Sequence, residues 1–140
     1  MALGYSRGAG AYQQVRTGGG IEAADAHGLI TLLMDGALER IRLAVACIAT
    51  GNIAARGEAI SKAIEIIGGL QGGLNHDVDP SLTERLDALY DYMARRLLQA
   101  NLHADAAALD EVAGLLGQIR DSWVAIPAEA RQVPAAGVGA

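Results

Sequence analysis

Phenylalanine is absent from the 140 residues, and one tryptophan and four tyrosines are the only aromatic side chains. A core built under that limit must be aliphatic, of Leu, Ile, Val, Ala and Met. Cysteine occurs once, at Cys47. One cysteine excludes an internal disulfide framework and fits a reducing cytosol. The thiol falls in a helical apolar pattern, where it reads as a buried structural residue. No apolar run approaches the ~20 residues that span a bilayer. Met1 to Ile21 is broken by Gly and Arg and lacks the apolar stretch of a signal peptide. The expected setting is the cytosol, without membrane insertion. Positive charge is also short: 11 Lys and Arg stand against 16 Asp and Glu, for a net charge of −5. That balance argues against a nucleic-acid binder, which needs a basic stripe. The shortage is uneven, because residues 1–21 hold Arg7 and Arg16 and no acid.

What is present is helical. Leu82 to Asn101 carries Leu82, Leu86, Leu89, Tyr90, Met93 and Leu97 in steps of three and four, with one adjacent pair, which is one stripe of an α-helix. Glu84, Asp87, Asp91 and Arg95 take the wet face. Such a helix is not stable alone, so the rest of the chain must cover its stripe. Tyr90 and Tyr92 point in different directions on it, Tyr90 toward the core and Tyr92 toward another surface.

The remaining segments supply the cover. Asp25 is the expected N-cap of a first long helix running to about Thr50, with Ile30, Leu33, Met34, Ala37, Ile41, Ala44, Val45 and Ile48 on its stripe. Gly51 ends it and Asn52 caps the next, a connection short enough to force an antiparallel hairpin. The second helix shows Ile53, Gly57, Ile60, Ile64, Ile67, Gln71 and Leu74 in a seven-residue rhythm. Gly68, Gly69, Gly72 and Gly73 interrupt it, at about 1 kcal/mol each relative to alanine. Fraying, a break, and a flat face for a closely packed helix are all open readings. Asp79 caps the third helix with Pro80 at its first position, and Ser81 with Glu84 offers an overlapping capping box. Asp105 caps a fourth helix bearing Leu109, Val112, Leu116, Ile119 and Trp123, which Ile126-Pro127 stops. The expected fold is all-α: an antiparallel four-helix bundle over residues 22–126, preceded by a flexible arm at 1–21 and followed by a short disordered tail at 127–140. Tyr5 and Tyr12 are conspicuous in an arm of small residues, which suggests that it docks.

A catalytic constellation is not found. His27, His76 and His103 lie in turns or a first helical turn, no Glu-x-x-His occurs, and no histidines pair at helical spacing, so neither a di-metal nor a zinc site is supported. An exposed histidine near a helix terminus is the ordinary reading of His27, and a phosphoacceptor on a helical bundle the sharper one. Asp87 and Asp91 fit a solvated face better than acid–base catalysis. Arg95 and Arg96 splay apart on a helix and give a weak phosphate signal. No strand and no phosphate-cradling glycine motif is present. No cofactor is expected.

Several motifs, in order, resemble the flagellar secretion chaperone FliS family: Ala11-Tyr12-Gln13-Gln14, Leu33-Met34-Asp35-Gly36-Ala37-Leu38, the Gly51-Asn52 turn, Leu86-x-x-Leu89-Tyr90-Asp91-Tyr92-Met93-x-Arg95-Arg96-Leu97, Ala100-Asn101, and Leu109-Asp110-Glu111-Val112 followed by Arg120 and Trp123. The likeness covers roughly Ala11 to Ile126. It departs at Met34, where the family often has Tyr, and at Asp25-Ala26, where it often has Ser-Pro. The resemblance implies a non-enzymatic chaperone that binds the C-terminal segment of flagellin, prevents its premature polymerisation and delivers it to components of the flagellar type III export apparatus. It implies further that Tyr12, with Gln13 beside it, matches an N-terminal tyrosine that covers part of the client groove; a permanently docked arm is the alternative for Tyr12. Tyr92 is the candidate surface contact. Leu33, Leu89 and Trp123 are candidates for groove lining, with core packing the plainer role for each. A bundle carrying phosphate on His27 and a homo-oligomeric scaffold using the glycine face are the rival functions.

Overall fold

The structure, a computed structural model, describes residues 22–127 and residue 130. The expected arm and most of the expected tail lie outside the described residues. Four helices follow one another: α1 Glu22–Thr50, α2 Ile53–Gly72, α3 Pro80–His103 and α4 Ala106–Val124. Each packs on its sequence neighbours, and α4 returns to pack on α1, while the Cα atoms of neither diagonal pair come within 8 Å. The result is a four-sided antiparallel bundle with one aliphatic core.

The turn chemistry anticipated from sequence sets three of the helix starts. Gly51 adopts φ 72°, the left-handed conformation that glycine takes without strain, and lets the Asn52 amide close on Cys47 O at 2.9 Å. The Asn52 side chain then accepts from the Ala55 amide at 3.1 Å. Asp79 accepts from Leu82 N at 3.2 Å with Pro80 at the first helical position, so this cap prevails over the Ser81 alternative. Asp105 caps α4 through Ala108 N at 3.2 Å. The α3–α4 turn is made by Ala104 at φ 50°, a conformation that costs an alanine roughly 1–2 kcal/mol.

Several boundaries and faces differ from the sequence reading. Helix α1 begins at Glu22, so Asp25 lies inside it and is not its cap. Helix α3 runs two residues past Asn101, to His103, and Leu82 is exposed on its first turn. The core face of α2 is Ala59, Ile60, Ala63, Ile67 and Leu70; it keeps Ile60 and Ile67 of the expected rhythm, whose Ile64 and Leu74 pack against the core, and adds Ala59, Ala63 and Leu70. Alanine was the cause: it is small enough to be buried against a neighbouring helix, yet it carries little weight in an apolar pattern. Two other members of the expected rhythm, Gly57 and Gln71, lie on the side of α2 that meets α3. Gly68 and Gly69 do not break α2, which ends at Gly72 with Gly73 as its cap. A Cβ on Gly69 would meet nothing within 4 Å, so no close helix approach requires that glycine. Cys47, Tyr90, Met93 and Leu97 are buried as expected.

Candidate functional site

The four seams between helices are built differently. Between α1 and α4, His27 and Trp123 form a reciprocal clasp. Their rings stack with centroids 4.4 Å apart and planes 12° from parallel. The Trp123 indole N–H donates to His27 O at 3.0 Å, and His27 Nε2 lies 2.8 Å from Trp123 O. A carbonyl only accepts, so Nε2 carries the proton and adds a side-chain bond to a carbonyl at the end of α4 that also accepts from Ile126 N at 3.2 Å. One turn further in, the Arg120 guanidinium forks onto Asp35, with Nε to Oδ1 at 2.8 Å and Nη2 to Oδ2 at 3.4 Å. His27 is thus buried and not the exposed histidine expected; the stacking partner, 96 residues away in sequence, could not be read from local spacing. The clasp engages one of the two ring nitrogens, Nε2.

Between α3 and α4, Glu111 collects two donors. Tyr92 donates its hydroxyl to Oε2 and Arg96 Nε donates to Oε1 at 2.8 Å. These bonds, the tyrosine's first and the arginine's second, hold the Glu111 carboxyl below its usual range, and the Glu111 bond raises the Tyr92 hydroxyl. On the core side of the same helix, burial pushes the Tyr90 hydroxyl up to about 12.

The α2–α3 seam has two unlike ends. At one, Arg56 bonds the Asn101 side chain at 3.0 Å and the Asn101 carbonyl at 2.9 Å, covering an open carbonyl at the end of α3. At the other, the amide of Gln71 donates to Asp87 Oδ1 at 2.7 Å and Asp91 Oδ1 at 2.8 Å. Asp87, Asp91, Leu98 and Leu102 follow one another at steps of four, seven and four, so they share one stripe of α3. Leu98 is 60% exposed and Leu102 77%. Ile53, in the α2 turn that holds Arg56, is 69% exposed. An aliphatic strip therefore lies open beside α2, and an acidic patch sits about 16 Å along the same stripe.

The sequence-derived site residues are not brought to one place. Leu33 and Leu89 are half-buried and pack against the core from α1 and α3. Tyr92 is half-buried on the α4 side of α3, its hydroxyl engaged by Glu111. Trp123 packs against the core and clasps His27. Tyr12 and Gln13 lie outside the described residues. Leu98, Leu102 and Ile53 were missed. The available signal was an aliphatic pair one turn apart in Arg96-Leu97-Leu98-Gln99-Ala100-Asn101-Leu102, lying off the core stripe that ends at Leu97.

Among the described residues no group of three His, Cys, Asp or Glu is placed to hold a metal ion, and no helix is long and apolar enough to cross a membrane. A family profile described as "Flagellar protein FliS" matches residues 8–130. The chain belongs to the FliS family. It is 45% identical over 121 residues to the flagellar secretion chaperone FliS of Salmonella typhimurium, covering 86% of this chain and 90% of that one. To the flagellar secretion chaperone FliS of Vibrio cholerae it is 36% identical, over 92% of this chain and 95% of the relative. To that of Bacillus subtilis it is 37% identical, over 81% and 80%. The FliS-like motifs of the sequence acquire physical roles in the bundle. Asp35 and Arg120 tie α1 to α4, Asn101 takes Arg56, and Tyr92 and Arg96 meet on Glu111.

Proposed function

We propose that the chain is an export chaperone that holds the C-terminal segment of flagellin, keeps it from polymerising early and presents it to the flagellar export apparatus in the cytosol. The observation that carries this reading is the open aliphatic strip of Ile53, Leu98 and Leu102, in a member of a family of flagellar secretion chaperones. An amphipathic client helix laid there hides its own apolar face and the strip together. Covering the exposed part of each strip residue is worth about 1–2 kcal/mol, before the cost of ordering the client. That surplus is enough for reversible holding without a nucleotide.

In this reading Tyr12 and Gln13 belong to a tethered lid that competes with the client for the strip. Leu33 and Leu89 support the client surface from beneath. Tyr92 and Trp123 border the client's path where it leaves the strip and continues around the bundle.

Calorimetric titration with the C-terminal segment of flagellin from the same organism tests the reading. The full chain should saturate, the Leu98→Ala/Leu102→Ala variant should lose tenfold or more in affinity, and a chain lacking residues 1–18 should bind more tightly. No binding by any of the three, or a stable dimer that ignores the segment in sedimentation, overturns the reading.

A further inference from the structure

The end of α2 is built from residues that weaken a helix. Gly68, Gly69, Gly72 and the cap Gly73 fall within its last two turns. Among the described residues the glycine with a positive φ is Gly51, so the backbone at these four positions does not call for glycine. Packing does not call for it at Gly69, where a Cβ would meet nothing within 4 Å. Each interior glycine shifts the local equilibrium away from helix by about fivefold relative to alanine. Gly114 and Gly117 are as open, but they lie in the middle of α4, with Val112 and Leu116 buried around them. The α2 glycines lie at a helix end, beside the longest connection in the bundle. That connection is residues 73–79, whereas residues 51–52 and 104–105 suffice for the other two.

What holds this end in place is Leu70, Leu74 and Gln71. Leu70 is buried and Leu74 packs against the core. Gln71 Nε2 donates to Asp87 Oδ1 and Asp91 Oδ1, at 2.7 and 2.8 Å, and so ties the end of α2 to α3. The Gly73 amide turns back onto the Gly69 and Leu70 carbonyls at 3.1 and 3.2 Å, within α2 itself. On the far side the connection also closes on itself, the Asp77 amide donating to Asn75 Oδ1 at 3.1 Å. Helix α3 has its own cap in Asp79. The end of α2 can therefore part from α3 at the Gly68-Gly69 joint without unmaking either helix start. The strip beside it needs such a movement. Leu98 and Leu102 span about 6 Å, whereas three turns of an amphipathic helix span about 16 Å. With the end of α2 displaced, the α3 stripe would lie open from Asp87 to Leu102, about 22 Å.

We propose that Gly68 to Leu74 is a flap on the α2–α3 seam, hinged at Gly68-Gly69 and pinned by Gln71 on Asp87 and Asp91, and that the client binds the form in which it is open. The inference rests on the strip as the client surface and adds how a strip one turn long receives a helix of several turns. Opening is a local event, separate from global unfolding. While the open form is rare, apparent affinity scales with its population, so whatever shifts the flap shifts binding by the same factor.

Two readouts on the full chain test it. In native-state amide exchange, Leu70 to Leu74 should share one opening equilibrium, at least about tenfold more populated than that of Ala63 to Ile66. Gly69→Ala should lower that opening about fivefold, Gln71→Ala should raise it about three- to tenfold, and Gly114→Ala should leave it unchanged. Protection that declines residue by residue from Ile67 to Leu74 is ordinary fraying and overturns the flap. An opening no more populated than that of Ala63 to Ile66 overturns it too. In calorimetry with the flagellin segment, Gly69→Ala should weaken binding about fivefold and Gln71→Ala should tighten it about three- to tenfold, with Gly114→Ala binding as the parent does. Affinity that stays constant while exchange responds to Gly69→Ala would overturn the flap's part in binding. Binding absent from every chain would sink the client reading alone and leave the exchange pattern to judge the flap.

Discussion

The α1–α4 seam and the α2–α3 seam are made of the same helix type and of comparable lengths, yet they treat solvent in opposite ways. The first is tied by a stacked ring pair, two reciprocal side-chain-to-backbone bonds and an arginine fork. The second is pinned at its ends and leaves aliphatic side chains in water between and beyond the pins. On the proposed function, stability and client reception belong to different edges of the bundle. Large aliphatic residues left in water do not help a monomer fold, and on the proposed function Ile53, Leu98 and Leu102 are where a client lands.

That contrast can be broken most forcefully at Trp123. Trp123→Ala removes the ring stack and a hydrogen bond to α1, and is expected to cost about 2–4 kcal/mol in chemical denaturation. A comparable loss from Leu98→Ala would abolish the distinction. Alkaline unfolding probes the core beneath both seams, with a smaller ceiling. Tyr90 holds its proton up to about 12 in the fold and only to the ordinary tyrosine value of about 10 when unfolded. Its contribution is whole below pH 10 and fades as the pH rises toward 12, to a total of about 2–3 kcal/mol. Tyr90→Phe should remove that alkaline limb from the pH profile of the melting temperature. On the outer face of α4, Gly114 and Gly117 have nothing within 4 Å of where a Cβ would sit. Gly114→Ala and Gly117→Ala should each stabilise by up to about 1 kcal/mol without changing client affinity, since they touch neither seam. Smallest of all, Leu98→Ala and Leu102→Ala should move stability by no more than about 0.5 kcal/mol, while their effect on client binding is large. That split between melting and titration would sharpen the comparison more than any single stability value.

Most of the bundle was legible in the sequence because its signals are local. Asn52, Asp79 and Asp105 cap as their residue types dictate, Gly51 makes the left-handed turn, and Met93 and Leu97 fall on the buried stripe. What escaped is what depends on a distant partner. His27 is buried against Trp123, 96 residues away, and Ala59 and Ala63 of α2 are buried although alanine carries little weight in an apolar pattern. The candidate surface escaped for a different reason. A residue placed for a partner breaks the rule that apolar side chains face the core, and its one trace in the sequence is the pairing of Leu98 with Leu102 one turn on, off the core stripe.

The closing edge of the bundle also governs time. Three of its four helix contacts join consecutive helices across short turns, and such hairpins form quickly because little chain must be gathered. Only the α1–α4 edge joins residues 85 to 96 apart, through Arg120 with Asp35 and Trp123 with His27. Its loop-closure entropy is the largest in the fold, and it is met last if the hairpins form first. Contacts that form after the folding barrier control how fast a protein comes apart and hardly affect how fast it assembles. The clasp at the joined ends of α1 and α4 would then set the lifetime of the folded chaperone, and Asp35→Asn should accelerate unfolding while leaving the refolding rate almost unchanged.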